Sequence, residues 1–231
     1  MNTFSESESP WGAVLRKVVL LFLLGVCMTL PILMLRLDVQ IFANGVGEGG
    51  AVENAQLLLL GISIASLTVL AKVNQQDKKF ALLAAAFFAC MFVRECDFFL
   101  NELVPHLWQY IVAVLSISAL AYAASDPRST AFGGLRFLRT DGGALVLPGL
   151  AVLLIYSRLM GMQDIWIDLL QDGYVRSVKN AIEETTELLG YTVIAFSIAS
   201  GVISRVTTTA RDRKTRRTTD PGMPSVRKEA A

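Results

Sequence analysis

The stretch FALLAAAFFACMFVRECDFFL, residues 80–100, decides how this chain is read. Its uncharged part, residues 80–93, is 14 residues long. As a helix rising about 1.5 Å per residue it covers only about 21 Å, short of the roughly 30 Å hydrocarbon core of a bilayer. The stretch spans a membrane only if Arg94, Glu95 and Asp97 enter with it. Charges at that depth are unfavourable unless they turn inward and find partners. Reading residues 80–100 as a span therefore brings with it the expectation of an internal polar site.

The remainder of the chain supports a membrane reading. Of 231 residues, 53% are hydrophobic and only 18% charged, too apolar a balance for an ordinary soluble domain. Six segments approach the length needed to cross: residues 18–37, 51–71, 80–100, 107–124, 144–162 and 188–204. The first follows Arg16 and Lys17 but has a long apolar run and no small-x-small cleavage pattern, so it reads as a retained helix, kinked at Pro31, and not as a signal peptide. Residues 1–12 and the Thr-rich basic tail, residues 206–231, lack an apolar period and are expected to be disordered around a membrane domain of residues 13–205.

Sorting charges by alternate connectors gives the orientation. The N-terminus, the connectors after the second and fourth spans and the C-terminal tail hold 16 of the 21 Lys and Arg and 8 of the 20 carboxylates; the other connectors hold 5 and 12. Basic residues stay on the cytoplasmic side. The expected fold is thus all-α and polytopic, with six transmembrane helices and both termini in the cytoplasm. The location implied is the cell (inner or plasma) membrane.

The charges that intrude on spans all fall toward the outer end. Glu53 and Gln56 lie on one face of the second span, with Ser63 below; Cys90, Arg94, Asp97 and Asn101 share a face of the third, with Glu95 and Glu102 on another. The fifth span has 14 uncharged residues, 144–157, before Arg158, and Asn180, Glu184, Glu187 and Tyr191 align on the helix entering the sixth. Glu53, Glu95, Glu102, His106, Glu184 and Glu187 are the candidate cation ligands, supported by Gln56, Arg94, Asp97, Arg158 and Tyr191. The carboxylate excess suits a proton or a hard divalent cation better than zinc; no ExxH or HExxH pair occurs. Set against this, Arg94 with Asp97 and Lys179 with Glu183 also fit plain helix-surface ion pairs.

The outer connector QDIWIDLLQD, residues 163–172, sets Asp164, Asp168 and Gln171 opposite Ile165, Trp166, Leu169 and Leu170, the pattern of a short amphipathic helix in the headgroup plane anchored by Trp166. Beyond Gly173 a second helix is expected to start near Tyr174 and run unbroken into the last span. NGVGEGG, residues 44–50, reads as a flexible outer loop able to act as a lid, and residues 126–143 as a cytoplasmic connector whose Leu135, Phe137 and Leu138 dip into the interface. The openings AVENAQ from Ala51 and AIEETTE from Ala181 echo one another.

A single histidine excludes a bis-histidine haem crossing and most multi-histidine hydrolase centres. No GxSxG or Walker motif occurs, and Cys27, Cys90 and Cys96 suggest neither a disulfide framework nor a zinc knuckle. Three functions fit: a protein that binds a proton or divalent cation at this cluster, for transport; a membrane-embedded hydrolase or transferase of lipid-linked substrates; or a non-catalytic accessory subunit. The expected partners are the lipid bilayer and a membrane protein or second copy, with no nucleic acid.

Overall fold

The computed structural model describes residues 9–42 and 49–219, and among these the chain is helical with no strands. The helices are α1 (Pro10–Cys27), α2 (Leu30–Leu37), α3 (Ala51–Val73), α4 (Lys78–Glu95), α5 (Asp97–Leu103), α6 (Leu107–Ala124), α7 (Pro127–Leu138), α8 (Val146–Ala151), α9 (Ser157–Met160), α10 (Gln163–Leu170) and α11 (Arg176–Thr219). Among the described residues, five stretches are long and apolar enough to cross a membrane: Pro10–Gln40, Ala51–Val73, Leu107–Ala124, Gly143–Met160 and Arg176–Arg211. Their outward surfaces are apolar. Leu21, Phe22 and Ile32 on the first, Tyr110, Val114 and Ile117 on α6, and Leu154 and Ile155 before α9 are all well exposed, a surface area that water would penalise and acyl chains would not.

Local chemistry explains where the helices start and bend. Ser9 caps α1, its hydroxyl accepting the Gly12 N–H at 3.2 Å ahead of Pro10 in the first turn. The α1–α2 break falls at Met28 and Thr29, one turn before Pro31, whose ring removes a donor and crowds the preceding carbonyls. Asp126 caps α7 by accepting the Ser129 N–H at 3.1 Å, again with proline following. A π-turn, Val152–Tyr156, separates α8 from α9.

Two groups of helices meet face to face. In one, α3 and α4 form a hairpin through the turn at Asn74–Asp77, α6 packs outside α4, and α7 lies against α4. In the other, α8, the π-turn and α9 pack along α11. Glycines allow this second contact to close. A Cβ on Gly190 would stand 2.8 Å from Leu153 Cβ and 3.0 Å from its Cα, and one on Gly149 would stand 2.8 Å from Ile194 Cγ1, so the helices approach as only small residues permit. The core lies where α3 and α4 meet α11: Leu60, Leu67, Leu70, Ala81, Ala85 and Phe88 against Tyr191, Ile194, Ile198 and Val202.

One end of the bundle is locked by a buried ion cluster. Asp77, fully buried in the α3–α4 turn, accepts Arg136 Nε at 2.7 Å on one oxygen and Arg205 Nε and Nη2 at 2.8 and 2.7 Å on the other. Asn74 Nδ2 donates to the same carboxylate at 2.8 Å and to Thr209 Oγ1 at 3.2 Å. A carboxylate removed from water is tolerated because each of its oxygens accepts at least one hydrogen bond from a guanidinium group.

Several expectations are revised. The stretch at residues 80–100 is not one helix: it breaks at Cys96, whose N–H reaches both Phe92 and Val93 carbonyls, and α5 starts afresh. Beyond the break the chain comes to the surface, where Phe98, Phe99 and Leu103 are exposed. The connector at 126–143 contains a full helix, and Phe137, expected at the interface, is a core residue only 2% exposed. The final helix starts at Arg176 and is unbroken, as expected, but continues to Thr219, well into the stretch expected to be disordered. Helix propagation from a fixed end is inexpensive, and Thr207, Thr208 and Thr209 hydroxyls donate to carbonyls one turn back. Residues 1–8, 43–48 and 220–231, including most of the glycine-rich loop, lie outside the described residues.

Candidate functional site: a carboxylate cavity between two helix groups

At the end of the bundle opposite Asp77, the two helix groups part around a cavity of about 330 Å³ lined by Glu53, Gln56, Arg94, Glu95, Arg158, Asn180, Glu183, Glu184 and Glu187. That size falls within the range of small-molecule sites. Each wall comes from a different group. The α3 N-terminus and α4 C-terminus supply Glu53, Gln56, Arg94 and Glu95; α9 and the first turns of α11 supply the others.

Local structure fixes the walls. Asp38, fully buried near the end of the first apolar stretch, accepts the N–H groups of Ala51 and Val52, at 2.5 and 3.0 Å. It thereby holds the start of α3, where an anion also complements the helix dipole. Glu53, one turn in, accepts the Gly49 N–H. The close packing of α11 on the π-turn brings Arg158 to Glu187, 2.5 Å, and to Glu183, 3.5 Å. Lys179 Nζ also reaches Glu183 at 2.9 Å and the Gly161 carbonyl at 3.4 Å. At the cavity floor Glu95 accepts Arg94 Nη2 at 2.5 Å and the Tyr191 hydroxyl at 2.8 Å.

The charges do not balance. Five carboxylates line the cavity against two guanidinium groups. Glu95, Glu183 and Glu187 are ion-paired, and Glu53 is committed to a backbone N–H. Glu184 stands among the like charges of Glu187, Glu53, Glu183 and Asp38, and no cationic side chain lies within salt-bridge distance of it among the described residues. Gln56 Nε2 donates to the Glu184 backbone carbonyl at 3.3 Å, tying α3 to α11 at this depth. The two helices that echo each other in sequence are thus the ones that face across the site.

Of the residues singled out in the sequence, Glu53, Gln56, Arg94, Glu95, Arg158, Glu184 and Glu187 converge on this cavity, with Tyr191 beneath it. Asp97, Glu102 and His106 are not among its lining residues; Glu102 and His106 are exposed beyond the Cys96 break. The backbone N–H of His106 donates to Asn101 Oδ1 at 3.0 Å, and its φ of 62° closes the turn before α6. Arg94 pairs with Glu95 instead of Asp97. Among the described residues no group of three His, Cys, Asp or Glu side chains is arranged to hold a metal ion. Asn180, aligned in sequence with Glu184 and Glu187 but not counted as a ligand or support, also lines the cavity. Glu183 was missed as a site residue: it has the helical spacing of a surface pair with Lys179, makes that pair, and also reaches Arg158. Asp164 and Asp168 lie exposed on α10, whose Trp166 Nε1 donates to the Met160 carbonyl at 2.6 Å.

Comparison with protein-family models, with curated proteins and with solved structures finds no match.

Proposed function

We propose that this chain is a six-span protein of the cell membrane, with both termini cytoplasmic, whose outward-facing cavity binds a cation for transport. The span added to the five long apolar stretches is α4, third in chain order. It has 18 residues, about 27 Å of helix, lies between α3 and α6, and carries its charges, Lys78, Lys79, Arg94 and Glu95, at its two ends. With α4 counted, the basic connectors fall on one side and the acidic ones on the other, which supports the orientation. In that frame α10 lies at the outer surface, where its exposed Ile165, Ile167 and Leu169 meet the headgroup region.

The observation that carries the cation reading is the surplus of carboxylate around a half-open cavity, with no cationic side chain within salt-bridge distance of Glu184 among the described residues. A carboxylate withdrawn from water among like charges either takes up a proton or recruits a cation. Among the described residues the donor set has no three-ligand cage, which favours a proton or a monovalent ammonium over a tightly held divalent ion.

Purified protein in mild detergent tests this directly. Methylammonium, Mg2+ and Ca2+ are titrated calorimetrically and proton uptake is followed potentiometrically, with Glu184→Gln and Glu53→Gln alongside. The proposal expects saturable uptake of a proton or methylammonium that Glu184→Gln weakens at least tenfold, about 1.4 kcal/mol. Uptake unchanged by Glu184→Gln, or no uptake of any of the four, overturns it.

A further inference from the structure

The cavity and the Asp77 cluster occupy opposite ends of one interface. On one side are α3, α4 and α6, with α7 held to α4; on the other are α8, α9 and α11. The second group is tied together internally: Ser197 Oγ donates to the Gly142 carbonyl at 2.7 Å, Gly149 and Gly190 allow direct contact, and Arg158 pairs with Glu187. The first is tied by the α3–α4 hairpin and by the Lys79 to Ser125 hydrogen bond, 2.7 Å. Between the groups the middle is apolar, Leu60, Leu67 and Phe88 against Ile194 and Ile198. At the cavity end they part around the cavity, bridged at its edge by Gln56 Nε2 to the Glu184 carbonyl, 3.3 Å, and by the Tyr191 hydroxyl to Glu95, 2.8 Å. At the other end the fully buried Asp77 grips Arg205, and Asn74 reaches Thr209.

We propose that these groups are two bodies that rock about the apolar middle, and that the Asp77–Arg205 pair is the inner gate, closed here while the outer cavity is open. This rests on the transport reading of the cavity. Because α11 is one unbroken helix carrying both Glu184 and Arg205, motion at one end is transmitted to the other. With the pivot near Ile194 the two arms are about 15 and 16 Å long. A tilt that withdraws Arg205 by about 3 Å, enough to break its hydrogen bonds, therefore closes the cavity mouth by a similar distance. Rigid-body rocking of one bundle against another is a general route to alternating access, and the gate is a discrete charge pair whose loss shifts the balance between two packings. Arg136, on α7 of the first body, stays with Asp77 in both states and keeps the buried carboxylate paired when Arg205 leaves.

The test needs no knowledge of the cation. In full-length protein with Cys27, Cys90 and Cys96 replaced by alanine, a single cysteine is placed at Ala81, buried one turn from Asp77, or at Asn180 in the cavity wall. Each is labelled in oriented vesicles with a membrane-impermeant maleimide, Ala81→Cys from the cytoplasmic face and Asn180→Cys from the outer face. Asp77→Asn and, as a second route that leaves Asp77 paired with Arg136, Arg205→Gln are the perturbations. Breaking the gate is expected to speed labelling at Ala81→Cys about tenfold and to slow it at Asn180→Cys by a comparable factor. Faster labelling at Ala81→Cys with Asn180→Cys unchanged means local fraying, and overturns the coupling. No change at either position overturns the gate. Either failure leaves cation uptake by the detergent-purified protein as a separate result, so the two proposals fall independently.

Discussion

Replacing Asp77 by asparagine tests how the bundle is held closed at its basic end. The carboxylate is fully buried and accepts four hydrogen bonds, three of them from guanidinium groups. Asparagine keeps the shape but removes the charge and turns an amide NH2 toward one arginine. Losing one partner of a buried ion pair costs about 3–5 kcal/mol, because the other is left uncompensated. Arg136 is about a third exposed, at 32%, and Arg205 16% exposed, so water recovers part of that loss and the lower figure applies. About 3 kcal/mol corresponds to a shift of more than a hundredfold in the unfolding equilibrium. Reversible unfolding by SDS in mixed micelles, followed by circular dichroism, reads it. Arg205→Gln should cost a similar amount, and the Asp77→Asn, Arg205→Gln double variant clearly less than the sum, since the two residues share one interaction. A change below about 1 kcal/mol for Asp77→Asn, or strict additivity in the double variant, would refute the view that this cluster holds the two helix groups together.

Further expectations follow from single residues. Gly190→Ala drives a methyl to within 3.0 Å of the Leu153 backbone, so it should destabilise by about 1–3 kcal/mol in the same unfolding assay and weaken cation uptake by displacing Arg158 from Glu187. Asp38→Ala removes both acceptors at the start of α3 and should cost about 1–2 kcal/mol, with faster amide exchange at Ala51 and Val52. His106→Asn, on an exposed turn residue with φ of 62° that asparagine also tolerates, should leave cation uptake unchanged, unlike Glu184→Gln; a matching loss would show that the outer turn belongs to the site.

Periodicity and charge made part of this molecule legible in advance. The helical spacing of Glu53 with Gln56 and of Glu184 with Glu187, each at the end of an apolar run, put these residues at one depth, and they do share a cavity. Depth along a helix is a one-dimensional quantity that sequence carries well. What lay beyond reach was set by contacts between distant segments. Asp77 in NQQDKK looks like any turn carboxylate, and its partners Arg136 and Arg205 lie 59 and 128 residues away. Glu183 makes the local pair its spacing suggests, which concealed its second role beside Arg158. The break at Cys96 has no glycine or proline to mark it. One signal was available and passed over: Asp126 followed by Pro127 is a helix start, and it would have revealed α7 and with it the burial of Phe137.

Uptake of a cation by Glu184, beside Glu53, from the outer face is the proposal on which the transport reading rests. Its most direct test is charge displacement on a solid-supported membrane carrying oriented proteoliposomes, after rapid steps of outside pH or methylammonium. A saturable transient is expected in wild type, lost in Glu184→Gln and retained in His106→Asn. A transient of equal size in Glu184→Gln would contradict it.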